Sequence, residues 1–366
     1  MKIDTRFKII YLLIIAVGCF LIENVYLLIA LFLLQILLWL WLRLSFLELG
    51  RIFRRLAIFI IFILFSYLFI PASSESLVIK WLIPLNISAL LTGLIMSLRV
   101  FIVITASMLV RLSSTSEEFV ESLKKLKVPE FISLAIDSTL ALIATSLPKK
   151  EKNKVEKKKF DIKKILKGDI GFLIDLIGDA LSRSKEYVES SGYKGSLSKV
   201  KDLGIISGIV VLMMTTKFLK ILPGIPIFPA HKGLLIIPLY FLAYELTETA
   251  WGATLTGITI GVVSFLFGEG TFGIFEIFKY IAPGLVIDGL MPPLKKISGN
   301  PSVIIFSIMG LLASLARLTT IVLTALLVKA PPVFYVLLTP TIIGHFVFGI
   351  LSGPVSYFLV RRLAHV

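Results

Sequence analysis

Residues 111–202 open with RLSSTSEEFVESLKKLKVPE (111–130), pass through KKEKNKVEKKK (149–159) and close on ALSRSKEYVESSGYKG (180–195). No other long run in the chain is too charged for a bilayer, so its reading decides the fold. On both sides lie segments apolar enough to cross hydrocarbon, for which about 20 residues suffice. The expectation is an all-α, polytopic membrane helix bundle of about ten spans. It divides into a four-helix N-terminal membrane block (1–110), a cytosolic module of amphipathic coupling helices (111–202) and a six-helix membrane block (203–366).

Composition agrees with that class. Hydrophobic residues make up 57% of the 366 and charged residues 17%, against about 25% charged in soluble domains. Mean hydropathy is +0.95. The formal net charge of +15 clusters between helices and in the central module, where positive-inside bias and anionic lipid account for it. Membrane lipid is therefore an expected partner and nucleic acid is not. The lone Cys19 lies in the first apolar run and excludes an internal disulfide. His231, His345 and His365 show no chelating spacing, so neither a metal site nor a cofactor is expected. With no phosphate-cradling GxxxxGK[ST] loop and no GxSxG elbow, the chain is not expected to hydrolyse ATP itself or to be an enzyme.

The basic start MKIDTRFK runs into an apolar helix with no small-residue cleavage site, which reads as a retained first span. Apolar runs at 9–22 and 24–42 flank a two-residue hairpin, Glu23 and Asn24. Arg43, Arg51, Arg54 and Arg55 then place the next link in the cytoplasm with Lys2, Arg6 and Lys8. Spans at about 56–71 and 86–110 return the chain there, and Trp39, Trp41 and Trp81 fit interfacial positions at span ends. Arg99 falls inside the fourth span. A charge at that depth costs roughly 2.5–3.5 kcal/mol or more unless it meets protein or water, so it is a structural or functional site by default.

In the module, Thr115 or Ser116 caps a helix with Glu117 and Glu118 at its positive end, and Phe119, Val120, Leu123 and Leu126 share one face up to Pro129. A second helix spans about 130–147. A third spans about 169–190, with Ile170, Leu173, Ile174, Ile177, Leu181 and Val188 on one side and Gly192 as its stop. The lysine run between them reads as solvated or lipid-facing.

Two stretches here resemble a known family. Leu112-Ser-Ser-Thr-Ser-Glu-Glu-Phe119, followed by Leu123, Leu126, Lys127, Val128 and Pro129, is similar to the "LTTSPEDL…AL.KLGVP" stretch of the T component of energy-coupling factor (ECF) transporters, the CbiQ/EcfT type. Tyr187-Val-Glu189-Ser-Ser191-Gly192-Tyr193 is similar to the "A.EARGY" end of that family's coupling helix. The resemblance implies an ABC importer component whose cytosolic helices seat on partner ATP-binding cassette ATPase subunits. By the same resemblance Arg183, Lys185, Glu189, Ser191, Gly192 and Tyr193 would form the coupling segment. Ser191 stands where the pattern has arginine, leaving Arg183, Lys185 or Lys194 to substitute for it.

The second block reads as spans near 203–222, 233–247, 250–267, 272–291, 301–328 and 333–360, which returns the C-terminus to the cytoplasm with Arg361 and Arg362. The loop LPGIPIFPAHKG (222–233), stiffened by three prolines, and the Gly-rich helices after it resemble the substrate-binding S component of the same transporters. That resemblance implies a vitamin or other micronutrient as the solute. Its candidate binding groups are His231, Lys232, Glu269, Glu276 and Arg317, with Glu276 and Lys279 spaced to pair on one helix face. Gly252, Gly257 and Gly261 read as close helix packing, Asp288 as a cap or turn residue, and His345 as a hydrogen-bonded structural histidine. The alternatives are a stand-alone membrane binder or carrier, and an intramembrane enzyme acting on lipid or isoprenoid substrates. The expected location is the cell membrane, with both termini cytoplasmic.

Overall fold

The computed structural model describes residues 4–47, 49–50, 54, 57, 61, 64, 77–79, 83–85, 87–146, 171–190, 196–218, 230–267, 273–299, 302–327 and 338–363. Most of the expected third span, Trp81, the lysine run and the proline-rich part of the loop after residue 222 lie outside them. The described residues carry twelve α-helices: α1 Thr5–Leu21, α2 Val25–Trp41, α3 Ile87–Ser113, α4 Ser116–Lys125, α5 Glu130–Ser146, α6 Gly171–Ser190, α7 Leu197–Phe218, α8 Gly233–Leu246, α9 Gly252–Leu266, α10 Phe278–Ser298, α11 Val303–Leu327 and α12 Thr339–Leu363. One exception to the all-α expectation is an antiparallel hairpin, β1 Leu77–Ile79 and β2 Ile83–Leu85, in register Leu77↔Leu85.

Three of these helices combine membrane-crossing length with apolarity: Leu91–Ser113 within α3, α11 and α12. The apolar helices α2, α8 and α9 have 17, 14 and 15 residues. At 1.5 Å per residue the last two cover only about 21–23 Å, short of a hydrocarbon core of about 30 Å. Neither is a full crossing by itself, so the count of ten spans is not reached among the described residues.

The chain forms two units. The first comprises Met1–Ser122, Phe265–Glu276 and Ile321–Thr339. Here α1 runs antiparallel to α3. Lys8 Nζ donates to the Ser113 carbonyl (2.6 Å) at one end, and Arg99 Nη2 donates to the Ile22 carbonyl (2.8 Å) at the other. Leu12, Ala16 and Cys19 of α1 face Val103, Ala106 and Val110 of α3 as the buried seam. Leu27, Leu33, Leu37 and Leu40 of α2 are exposed, as lipid-facing residues are in a bundle with no aqueous face to hide from. Trp39 and Trp41 both stand in the last turn of α2, Trp39 fully buried and Trp41 exposed. Gln35, four residues before Trp39 and also fully buried, shares its inward face in an otherwise apolar α2. A one-turn 3₁₀ helix, Gly273–Ile277, packs on α3, with Gly273 at φ 59° where a Cβ would meet Ser107 Oγ at 2.5 Å. Phe275 stacks against Phe20 at 5.8 Å.

The second unit comprises Leu123–Ser264, Ile277–Thr320 and Pro340–Val366. Helix α7 begins at Leu197, six residues before the expected span, and carries its polar start into the fold. Its Gly204-x-x-x-Gly208 step lets α6 approach closely. A Cβ at Gly204 would stand 3.1 Å from the Lys185 main chain, one at Gly208 3.1 Å from the Ala180 carbonyl, and Ser184 Oγ donates to the Gly204 carbonyl (2.6 Å). Helix α5 joins α7 through Ser207, whose hydroxyl donates to the Ala135 carbonyl (3.4 Å). Helix α8 is buried from Leu235 through Ala243 on every face, the signature of a central helix.

The expected close packing by glycine holds for α9 against α10. A Cβ at Gly257 would collide with the Tyr280 carbonyl, one at Gly261 would reach Ile277 Cγ2 at 2.9 Å, and one at Gly284 the Ala253 carbonyl at 2.5 Å. Helix α10 lies six or seven residues further along the chain than the expected span, so Lys295 and Lys296 form its last turn.

Candidate functional site

The coupling-helix candidate is α6. Ile177, Ser184 and Val188 are buried against α7, a 3.6-period stripe that fixes which way the helix faces. The opposite side, with Asp179, Arg183, Lys185, Glu186 and Glu189, is exposed. Arg183 Nη2 meets Asp179 Oδ2 at 2.8 Å and Lys185 Nζ meets Glu189 Oε1 at 3.9 Å, both at i,i+4 spacing. Pairs this exposed contribute about 0.3–0.5 kcal/mol, so a partner's charges can replace them at little cost. Ser191, Gly192 and Tyr193 lie outside the described residues. Helix α4 opens with a capping box: Thr115 Oγ1 accepts from Glu118 N and Glu118 Oε2 accepts from Thr115 N, each at 3.2 Å.

A second cluster surrounds Arg317. Its guanidinium carbon lies 5.7 Å from the ring centroid of Tyr280 on α10, whose carbonyl accepts the Tyr240 hydroxyl of α8 at 2.6 Å. On the same helix, Ser314 Oγ lies 2.9 Å from His345 Nδ1 of α12, both side chains buried. His345 is thus hydrogen-bonded as expected. Among the described residues no carboxylate pairs with Arg317. The geometry therefore assembles one uncompensated cation, two tyrosines and a Ser–His pair from four helices, a set able to receive an anionic group.

The other candidates separate. His231 and Lys232 stand half-buried in the turn before α8, and neither bonds to Arg317. Glu276 is buried in the 3₁₀ turn of the first unit, and Glu269 lies outside the described residues. Lys279 lies in the first turn of the α-helix that continues this 3₁₀ turn. Arg99 is 6% exposed and closes the C-terminal end of α1 through the Ile22 carbonyl, where a cation is favoured by the helix dipole.

Two buried acids, Asp202, which the sequence reading did not single out, and Asp288, act as clamps between helices. Asp202, fully buried in α7, accepts from the main-chain N–H groups of Glu248 (2.9 Å) and Thr249 (2.7 Å) and from the Thr249 hydroxyl. Asp288 is indeed a cap, though of another helix: from the middle of α10 it accepts from Ala253 N (3.3 Å) and Thr254 N (2.6 Å) at the start of α9. Lys295 to Glu245 (2.6 Å) and Ser198 to Glu248 (2.6 Å) complete the clamp on the α8–α9 turn. No local pattern in the sequence announces which segment either acid caps, since each partner lies about 35–47 residues away.

A search of the curated proteins and a search of the solved structures each gave no match to this chain. A scan against family models did match. Residues 1–145, from α1 through nearly the whole of α5, are similar to the family CbiQ, described as cobalt transport protein; the match covers less than half of the chain.

Proposed function

We propose that the chain is the transmembrane component of an ECF-type ABC importer, in which α6 and its neighbours dock on partner ATPase subunits and residues beyond 203 form a fused solute-binding block. The observation that carries this reading is the family match over residues 1–145. It gains support from α6, a long helix anchored on one side and charged on the other. Movement of the partner ATPases would be delivered to α6 and passed to α7 through the Gly204–Gly208 contact, which has no slack to absorb it. In the second block, Arg317 is the group assigned to an anionic moiety of the solute, with Tyr280 and Tyr240 orienting it.

Co-purification from the native membrane tests this. The tagged chain should bring down ATP-binding subunits identified by mass spectrometry. Reversing the α6 charges together (Arg183→Glu, Lys185→Glu, Glu186→Lys, Glu189→Lys) should reduce their recovery at least tenfold. Arg317→Gln should leave recovery unchanged and abolish ATP-dependent uptake. A chain recovered alone, with the solute still entering the cell through it, would favour a stand-alone carrier instead.

A further inference from the structure

The first unit holds a cavity of about 970 Å³ at the ends of α1, α2 and α3, lined among others by Lys8, Trp41, Arg43, Ser114, Thr115 and Glu118. The volume is at the upper end for small-molecule sites, which run about 300–1,000 Å³. Lys8 is 93% buried there, with its ammonium held on the Ser113 carbonyl (2.6 Å) and the Ser114 hydroxyl (3.2 Å). Arg43 is exposed at the wall and, among the described residues, has no carboxylate partner. Glu118 is the opposing charge, and its Oε2 is engaged by the Thr115 N–H. Among the described residues the lining thus carries two cations against one carboxylate, together with three hydroxyls.

The way Arg43 is placed adds weight. Arg43 N bonds to the Leu40 carbonyl (3.0 Å) and Leu44 N to the Trp39 carbonyl (3.1 Å), the two bonds of a Schellman ending to α2. Arg43 sits at the left-handed position of that motif, φ 52°, which glycine normally takes. An arginine held there accepts backbone strain while its side chain faces a polar cavity. At the rim, Trp41 is 56% and Leu40 50% exposed, an amphipathic edge of the kind found at a lipid headgroup boundary.

We infer that this cavity binds a phosphate group, with Lys8 and Arg43 as its cationic donors and the Ser114 and Thr115 hydroxyls as neutral ones. The chemistry is that of an anionic phospholipid headgroup or of free phosphate. The inference uses neither the α6 side chains nor Arg317 and does not rest on the roles proposed for them.

The test uses the full chain in nanodiscs, with native mass spectrometry of retained lipid. Phosphatidylglycerol should be retained over phosphatidylcholine, and Arg43→Gly should weaken that retention about tenfold, the size of one charge-assisted contact. Glycine suits the backbone at this position, so Arg43→Gly should melt no lower than the parent, and loss of binding cannot then be put down to misfolding. Lys8→Met provides a second variant with the same expected loss. Competition by inorganic phosphate at millimolar concentration would assign the site to free phosphate, and its absence would assign it to lipid. Equal retention of both lipids, unchanged by Arg43→Gly and with no phosphate bound, would overturn the inference.

Discussion

Gly353→Val is expected to be among the most damaging single substitutions in the chain, costing about 3 kcal/mol, the upper end of overpacking penalties. Helices α11 and α12 cross through three glycines. A Cβ at Gly353 would overlap the Ser307 main chain, one at Gly349 would reach Ser314 Cβ at 2.8 Å, and one at Gly310 would reach the Gly349 carbonyl at 2.6 Å. The obstructing atoms at Gly353 are backbone, so no rotamer change relieves the clash and the helices must separate. Separation would also pull Ser314 from His345 and disturb the Arg317 cluster on the same helix. The readout is the melting midpoint in detergent together with monodispersity by gel filtration. Gly178→Ala in α6, where a Cβ meets nothing within 4 Å, is the control: adding a side chain to a helical glycine there should stabilise by about 1 kcal/mol. If both variants melt with the parent, the crossing is not the constraint described.

Asp202→Ala is expected to cost a similar amount, about 3 kcal/mol, because it strands two main-chain donors and a hydroxyl that now share one buried carboxylate. For a unit of this size that corresponds to a fall of roughly 6–12 °C in the melting midpoint. Asp202→Asn keeps one acceptor oxygen and should recover about half of the loss. The effect should be local, releasing the α8–α9 turn, so hydrogen exchange at residues 247–250 should quicken before exchange in α11 does. Unchanged exchange at those amides in Asp202→Ala would refute the clamp.

How much of this could be read from the chain differs by element. The TSEE start of α4 and the break at Pro129 fix a capped helix, and the structure places its box on Thr115 and Glu118. Helices α5 and α6 follow within two residues, because prolines and a glycine punctuate an otherwise regular stripe. Helix α7 was legible only in its apolar part. Lys199, Lys201 and Asp202 read as a solvated approach, yet the helix takes them in because Asp202 has a buried use on a distant turn. Arg317 declared itself by depth alone, whereas its companions Tyr240, Tyr280 and His345 come from separate helices that no sequence spacing connects. Helices α8 and α9 looked like spans because they are apolar all round. Their 14 and 15 residues show that continuous greasiness also marks a helix buried in protein.

The central claim, that α6 presents its charged face to an ATPase subunit, is tested most directly by site-specific photo-cross-linking in the native membrane. A cross-linking residue at position 186, exposed on that face, should capture an ATP-binding subunit, with a yield that changes on adding nucleotide. The same residue at position 34, exposed on the apolar side of α2, should capture none. Absence of any ATP-binding subunit from positions 182, 186 and 189 alike, in membranes where the chain is folded and abundant, would contradict the claim.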